Sequence, residues 1–271
     1  MINKINKVIN GRYRIINFIT HGSMTSIYDA LDIIFKRRVV IKFLDDEKNL
    51  DYIVSSAKIA FKLNSDFVIK IYELGIYENT FYIVLEYING ITLRQFIENN
   101  QKDDKKKFLE KCNIIIKICE SLNFIHKNSI IHRDLKPDNI YYLPDKTIKI
   151  NDFDMSIDIV DKNKTALKLS GSAYYVAPES VRFEMVSFSS DIYALGMIIY
   201  ELFFSIFPFF GKKNIAEVTI EQINKEIELN NSLLPTEIIN IMRKAMNKNY
   251  FERYKKVEDI KKDLEEYLSQ C

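Results

Sequence analysis

The run His132-Arg133-Asp134-Leu135-Lys136-Pro137-Asp138-Asn139 puts a carboxylate, a lysine and an amide into one short stretch, and Asp152-Phe153-Asp154 and Ala177-Pro178-Glu179 follow it. Phosphoryl transfer asks little covalent chemistry of a protein; it needs a positioned hydroxyl, metal to neutralise phosphates, and cations where charge develops. Each part has a candidate here. Asp134 can orient a hydroxyl and accept its proton, and Lys136 can reach a transferred phosphate. Asn139 and Asp152 offer an amide oxygen and a carboxylate, hard ligands suited to a Mg²⁺ ion that keeps several waters and completes its shell with phosphate oxygens.

Those groups must be held by a scaffold, and two kinds of patterning flank them. Residues 13–41 read as short β-branched and aromatic segments, Tyr13-Arg14-Ile15-Ile16, Ser26-Ile27-Tyr28 and Val39-Val40-Ile41, broken by polar turns, the pattern of an antiparallel meander. Residues 51–63 place Tyr52, Ile59 and Leu63 at helical spacing with Ser55, Ser56 and Lys58 between them, and residues 67–72 and 81–87 read as further strands. From Leu93 onward the pattern turns helical. Residues 109–127 put Ile114, Ile115, Ile118, Leu122 and Ile125 on one face, and the closing segment does the same with Val257, Ile260, Leu264 and Leu268, next to Glu258/Lys262 and Lys261/Glu265 pairs. The cluster Lys105-Lys106-Lys107 reads as a solvated loop.

A chain of 271 residues, 47% apolar and 28% charged, can bury a real core and is near the length at which one core divides in two. A formal charge of +2 gives no reason to expect a nucleic-acid or membrane partner, which would call for a basic excess gathered on one face. Cys112, Cys119 and Cys271 have no metal-ligand spacing and read as free thiols, in keeping with a reducing cytoplasm. The first ten residues lack the continuous apolar core of a secretory signal. Residues 192–210 carry one charge, Glu201, but Pro208 interrupts them, so a helix buried on all sides is expected and not a membrane span.

In order and spacing, the three motifs resemble the signature set of eukaryotic-type protein kinases, His-Arg-Asp, Asp-Phe-Gly and Ala-Pro-Glu, and most of all the bacterial Hanks-type Ser/Thr members. Distant matches at the expected intervals set the run apart from an ordinary charged loop, and the resemblance extends from Tyr13 to Leu268. It implies an α+β, bilobal kinase-like fold in a single domain spanning residues 1–271. A small antiparallel-sheet N-lobe with one main helix would occupy about residues 1–86, a hinge residues 86–90, and a larger, mainly helical C-lobe residues 91–271. It also implies a cytoplasmic, ATP- and Mg²⁺-dependent enzyme acting on a protein with a Ser/Thr acceptor, the acceptor type being suggested by Lys136. Nucleic-acid and membrane-spanning partners are not expected, and oligomeric state is left open.

By the same resemblance, Asp134 and Lys136 are catalytic, and Asn139 and Asp152 hold metal. Lys42, in Val39-Val40-Ile41-Lys42, holds the α and β phosphates. The segment from Ile19 to Tyr28 aligns with the Gly-rich loop, with Met24 at a place where bacterial members often have methionine, so Thr20, Gly22 and Ile27 join the nucleotide contacts. Val40, Leu85 as gatekeeper, Glu86, Ile88 and Tyr141 surround the adenine. Ser172 stands at the hydroxyl position of the substrate platform, Glu179 pairs with Arg253, and Asp191 anchors the catalytic-loop backbone.

The departures from the pattern matter as much. Gly22 is the one glycine kept of the loop's three, which implies a stiffer lid. Ser56 falls where the helix glutamate that pairs with the strand lysine belongs; Glu47 and Asp51 lie upstream, Asp51 well round the helix. Asp154 replaces the motif's glycine, and it either reaches toward Lys42 in place of the missing glutamate or simply takes up the glycine's positive-φ backbone. Val40 and Tyr141 add bulk around the adenine. Thr165 and Ser170 are candidate phosphorylation sites that Arg133 could pair with, the alternative being a mobile polar loop. The opposing reading of the whole chain is a pseudokinase, a nucleotide-binding or scaffolding module on the same fold.

Overall fold

β-branched and aromatic residues at alternate positions build the strands of the first third of the chain. The computed structural model describes residues 4–22, 25–46, 48, 50–100, 105–161, 174–182, 186–209, 214–229 and 234–270. Contacts divide the chain into two compact units, Met1–Asn89 and Gly90–Cys271.

In the first unit, strands β1 (Val8–Ile9), β2 (Tyr13–His21), β3 (Thr25–Asp32), β4 (Arg37–Leu44), β5 (Ile71–Tyr77) and β6 (Thr80–Glu86) form one antiparallel sheet. Its order is β1-β2-β3-β4-β6-β5, with helix α1 (Leu50–Leu63) inserted between β4 and β5. Alternation sorts β4 cleanly. Val39, Ile41 and Phe43 enter a core with Ile9, Tyr13, Ile15, Tyr28, Ala30, Tyr82 and Val84, so Val40 and Lys42 project from the opposite face. Glu78 and Asn79 join β5 to β6 with φ of 47° and 61°, the left-handed pair that a two-residue hairpin needs to match strand twist. The strand expected over residues 67–72 begins only at Ile71 and runs on to Tyr77, because residues 65–67 turn: the Ser65 hydroxyl accepts the Phe67 N–H at 3.3 Å.

The second unit opens with β7 (Ile91–Thr92) and α2 (Leu93–Asn99), the helix entered through a Thr92/Gln95 capping box. There follow α3 (Lys105–Lys127), β8 (Ile130–Ile131), a 3₁₀ turn at Pro137–Asn139, β9 (Ile140–Tyr142), β10 (Ile148–Ile150) and β11 (Ile157–Asp158). The chain closes with α4 (Pro178–Val181), α5 (Phe188–Phe204), α6 (Ile215–Asn224), α7 (Thr236–Ala245), a 3₁₀ turn at Tyr250–Glu252 and α8 (Val257–Ser269). Strands pair as β10-β9-β7 and β11-β8, which ties both ends of the residue 132–139 run into short ladders.

Helix α5 is buried from Ser190 to Phe203, starts at a Ser187/Ser190 capping box and stops at Ser205, whose φ is 56°. Among the described residues no helix is long and apolar enough to cross a membrane. Lys105-Lys106-Lys107 is the first turn of α3, not a loop; Lys105 and Lys106 are exposed and Lys107 half-buried, while the apolar stripe expected of this helix is buried. Lys261 pairs with Glu265 at 3.6 Å as its spacing suggests, but Glu258 turns instead to Lys127 at 2.6 Å. Cys112 and Cys119 are buried free thiols, and burial pushes the Cys119 thiol up in pKa.

Candidate active site

A backbone clamp fixes the loop between β8 and β9. Asp191, in the first turn of α5 and 1% exposed, accepts the His132 N–H at 2.8 Å on Oδ2 and the Arg133 N–H at 2.9 Å on Oδ1. His126 Nε2 lies 2.9 Å from Oδ2, and since an ionised carboxylate can only accept, Nε2 carries the proton. Burial alone pushes the Asp191 carboxyl up, but the bonds from His126 and His132 offset this and hold it below the usual range. The clamp coincides with left-handed backbone at Arg133, φ 68°, a conformation a non-glycine residue keeps only when its surroundings impose it.

Within that loop His132 is fully buried; Nε2 donates to the Asn151 carbonyl at 3.0 Å, Nδ1 accepts the Asp134 N–H at 3.3 Å, and the ring lies 5.1 Å from that of Phe153. The candidate groups meet around Asp134. Lys136 Nζ donates to its Oδ2 at 2.6 Å, and the Asn139 amide donates to its carbonyl at 2.8 Å and to the same Oδ2 at 3.1 Å. With its NH₂ so engaged, Asn139 presents its oxygen for any further contact. The Asn139 carbonyl in turn accepts the Asn151 N–H at 2.8 Å, joining this loop to Asp152-Phe153-Asp154.

At Asp152-Phe153-Asp154 the left-handed residue is Asp152, with φ 69°, and Asp154 is not among the positive-φ residues. Replacement of a glycine's backbone therefore does not account for Asp154. Arg133 donates to the Met155 carbonyl at 3.2 Å, and the Ser156 hydroxyl to the His132 carbonyl at 3.1 Å. Asn139 and Asp152 present the oxygen donors that Mg²⁺ takes from protein; no cluster of three or more His, Cys, Asp or Glu suited to a metal occurs among the described residues, and a phosphate-assisted Mg²⁺ site does not need one.

Beyond the loop, Glu179 and Arg253 are both buried and form a two-pronged pair, 2.8 Å at each prong, with the Ser190 hydroxyl donating to Glu179 at 2.9 Å. The Tyr175 hydroxyl donates to Glu201 at 2.6 Å, and Arg94 bonds both Glu201 and Tyr175 and lies 3.4 Å from Asp138. Arg94, Tyr175 and Glu201 were not singled out as a group by the sequence. Glu201 carried the signal, since a charge in the buried body of a helix requires a partner. Ser172, Thr165 and Ser170 lie outside the described residues, as do Met24 and Glu47.

In the first unit, the β-register collects the candidate nucleotide contacts. Thr20 faces Ile27, Ile27 faces Lys42, and Val40 faces Leu85, so all five share the sheet face opposite the core. Lys42 is 9% exposed; Thr20 and Gly22 are open to solvent, and Gly22 N–H donates to the Thr25 carbonyl at 2.7 Å. Glu86 ends β6, tied to Lys70 through its N–H at 2.9 Å, and Ile88 follows in irregular backbone, half-buried. Ser56 sits in the buried stripe of α1 with Ile53, Ala57 and Ala60, while Asp51 is exposed. Tyr141, in the second unit, is half-buried on β9 opposite Lys149 and Thr92.

The sequence profile described as Protein kinase domain matches residues 13–264. Serine/threonine-protein kinase PrkC of Bacillus subtilis is 34% identical over 269 residues, covering 96% of this chain and 41% of its own length. The probable serine/threonine-protein kinase PknB of Lactococcus lactis is 31% identical over 271 residues, 96% of this chain and 43% of its own. PknB of Mycobacterium tuberculosis is 28% identical over 271 residues, 94% and 43%. The chain thus spans about two fifths of the length of these curated relatives.

Proposed function

Because this chain belongs to the protein kinase domain family, we propose that it is a single kinase domain that transfers the γ-phosphoryl group of ATP to serine or threonine hydroxyls of a protein in the cytoplasm. The observation that carries the reading is the knot at Asp134, where one carboxylate is held by Lys136 and Asn139 in a loop whose backbone Asp191 clamps. In this reading Asp134 receives the proton of the attacking hydroxyl as the phosphoryl group leaves ADP. Lys136 places a cation beside the transferred oxygens. Asn139 and Asp152 hold Mg²⁺, which when bound neutralises phosphate charge. Lys42 holds the α and β phosphates, and Thr20, Gly22, Ile27, Val40, Leu85, Glu86, Ile88 and Tyr141 enclose the nucleotide. Transfer of labelled phosphate from Mg²⁺-ATP to casein, followed by identification of phosphoserine or phosphothreonine, tests it; an unlabelled acceptor refutes it.

A second reading, a nucleotide-binding or scaffolding module, draws on Ser56: the helix position that should supply an anion to Lys42 has a buried, uncharged residue. Nucleotide-dependent thermal stabilisation without labelled acceptor would select it.

A further inference from the structure

Gln222 lies on α6 with no exposed surface, where an amide should satisfy both its NH₂ and its carbonyl. Nε2 donates to the Tyr174 carbonyl at 2.6 Å, whereas Oε1 is buried with no hydrogen-bond partner. Methionine has similar length and volume and would remove the unpaired Oε1, but it would also take from the Tyr174 carbonyl the donor it now has. The bond to Tyr174 is what the amide adds.

That bond grips the segment leading into Ala177-Pro178-Glu179. Farther along, the same segment is held by Tyr175 on Glu201 at 2.6 Å and by Glu179 on Arg253 at 2.8 Å. Tyr174 is 41% exposed as a residue and its ring stands edge-on to Phe207 at 5.1 Å, so an exposed residue has its backbone tied down. The helix end carrying Gln222 is tied in turn. Lys225 N–H caps the Glu221 carbonyl at 2.8 Å, and Lys248 Nζ donates at 2.7 Å to the Gln222 carbonyl, a last-turn acceptor with no intrahelical partner. Lys248 lies over the Tyr193 and Phe209 rings at 5.7 and 5.8 Å.

We propose that Gln222 is a positioning residue for the protein acceptor, holding the Tyr174 backbone so that this exposed residue meets the incoming chain in a fixed place, with Lys248 fixing the end of α6. The inference rests on the kinase reading above. Its test is steady-state phosphorylation of myelin basic protein by the unsubstituted chain, Gln222→Met, Lys248→Met and Lys248→Arg, with melting temperatures taken alongside. Loss of one neutral hydrogen bond should raise the KM for myelin basic protein roughly fivefold in Gln222→Met and leave the KM for ATP in place, with a melting temperature lowered by no more than about 2–4 °C. Lys248→Met should shift the same KM less, and Lys248→Arg should restore it; the half-exposed Lys248 keeps the test open should Gln222→Met fail to fold. An unchanged acceptor KM in the methionine variants, or acceptor and ATP KM rising together with a falling melting temperature, overturns the inference alone. No transfer by the unsubstituted chain overturns the kinase reading and this inference with it.

Discussion

Asp191→Asn removes a charge and one acceptor from the clamp on the loop around Asp134 while barely changing shape. The amide oxygen will settle where two donors converge, His132 N–H and His126 Nε2, 2.8 and 2.9 Å from the present Oδ2. Its NH₂ then faces the Arg133 N–H, donor against donor, in place of the present 2.9 Å bond. One charge-assisted bond disappears, worth about 1.5–3 kcal/mol, and the remaining ones become neutral, so a loss of about 3 kcal/mol is expected. For a chain of this size that is about 6–12 °C in melting temperature. The left-handed Arg133 loses what imposes it, so phosphate transfer should fall further than the population of folded protein. Because the Asp191 pKa is lowered in the folded state, its contribution is complete above the unfolded value of about 3.9 and is lost as pH falls through the folded value. The gap between the two proteins should therefore be full near neutrality and close in acid. Urea unfolding and thermal melts across pH check this. A loss under about 1 kcal/mol with undiminished transfer would refute the clamp.

Other outcomes follow from the same geometry. Arg253→Met leaves the buried Glu179 carboxylate without its cation, held by the Ser190 hydroxyl, and should cost about 3–5 kcal/mol by denaturant unfolding. Val40→Ala and Tyr141→Leu should each tighten ATP about fivefold by equilibrium binding if these side chains overfill the adenine site, and no gain in either counts against that view. Lys42→Ala and Asp154→Gly, singly and together, test whether Asp154 serves Lys42: coupled losses in transfer support it, and strictly additive ones exclude it.

Much of the fold was legible because period and motif agreed. The strand at Val39-Val40-Ile41 was readable from its β-branched run, and the Glu179–Arg253 pair, 74 residues apart, from the family resemblance. Features set by tertiary context were less readable. Residues 67–70 are as apolar as a strand, but the turn at Ser65 delays β5 to Ile71. Charge at Lys105-Lys106-Lys107 suggested a loop although lysine is a fair helix former. Of the two readings of Asp154, the positive-φ one fails, because the left-handed residue of the motif is Asp152. Arg94, His126 and Gln222 carry no local signature; their roles arise from elements far away in sequence.

The most direct test of the central claim compares the unsubstituted chain with Asp134→Asn, following phosphate transfer to casein and Mg²⁺-ATP-dependent thermal stabilisation in the same samples. The account predicts transfer that drops at least about a hundredfold in the variant while nucleotide stabilisation persists. Equal transfer by both proteins, or stabilisation with no transfer by either, would contradict it.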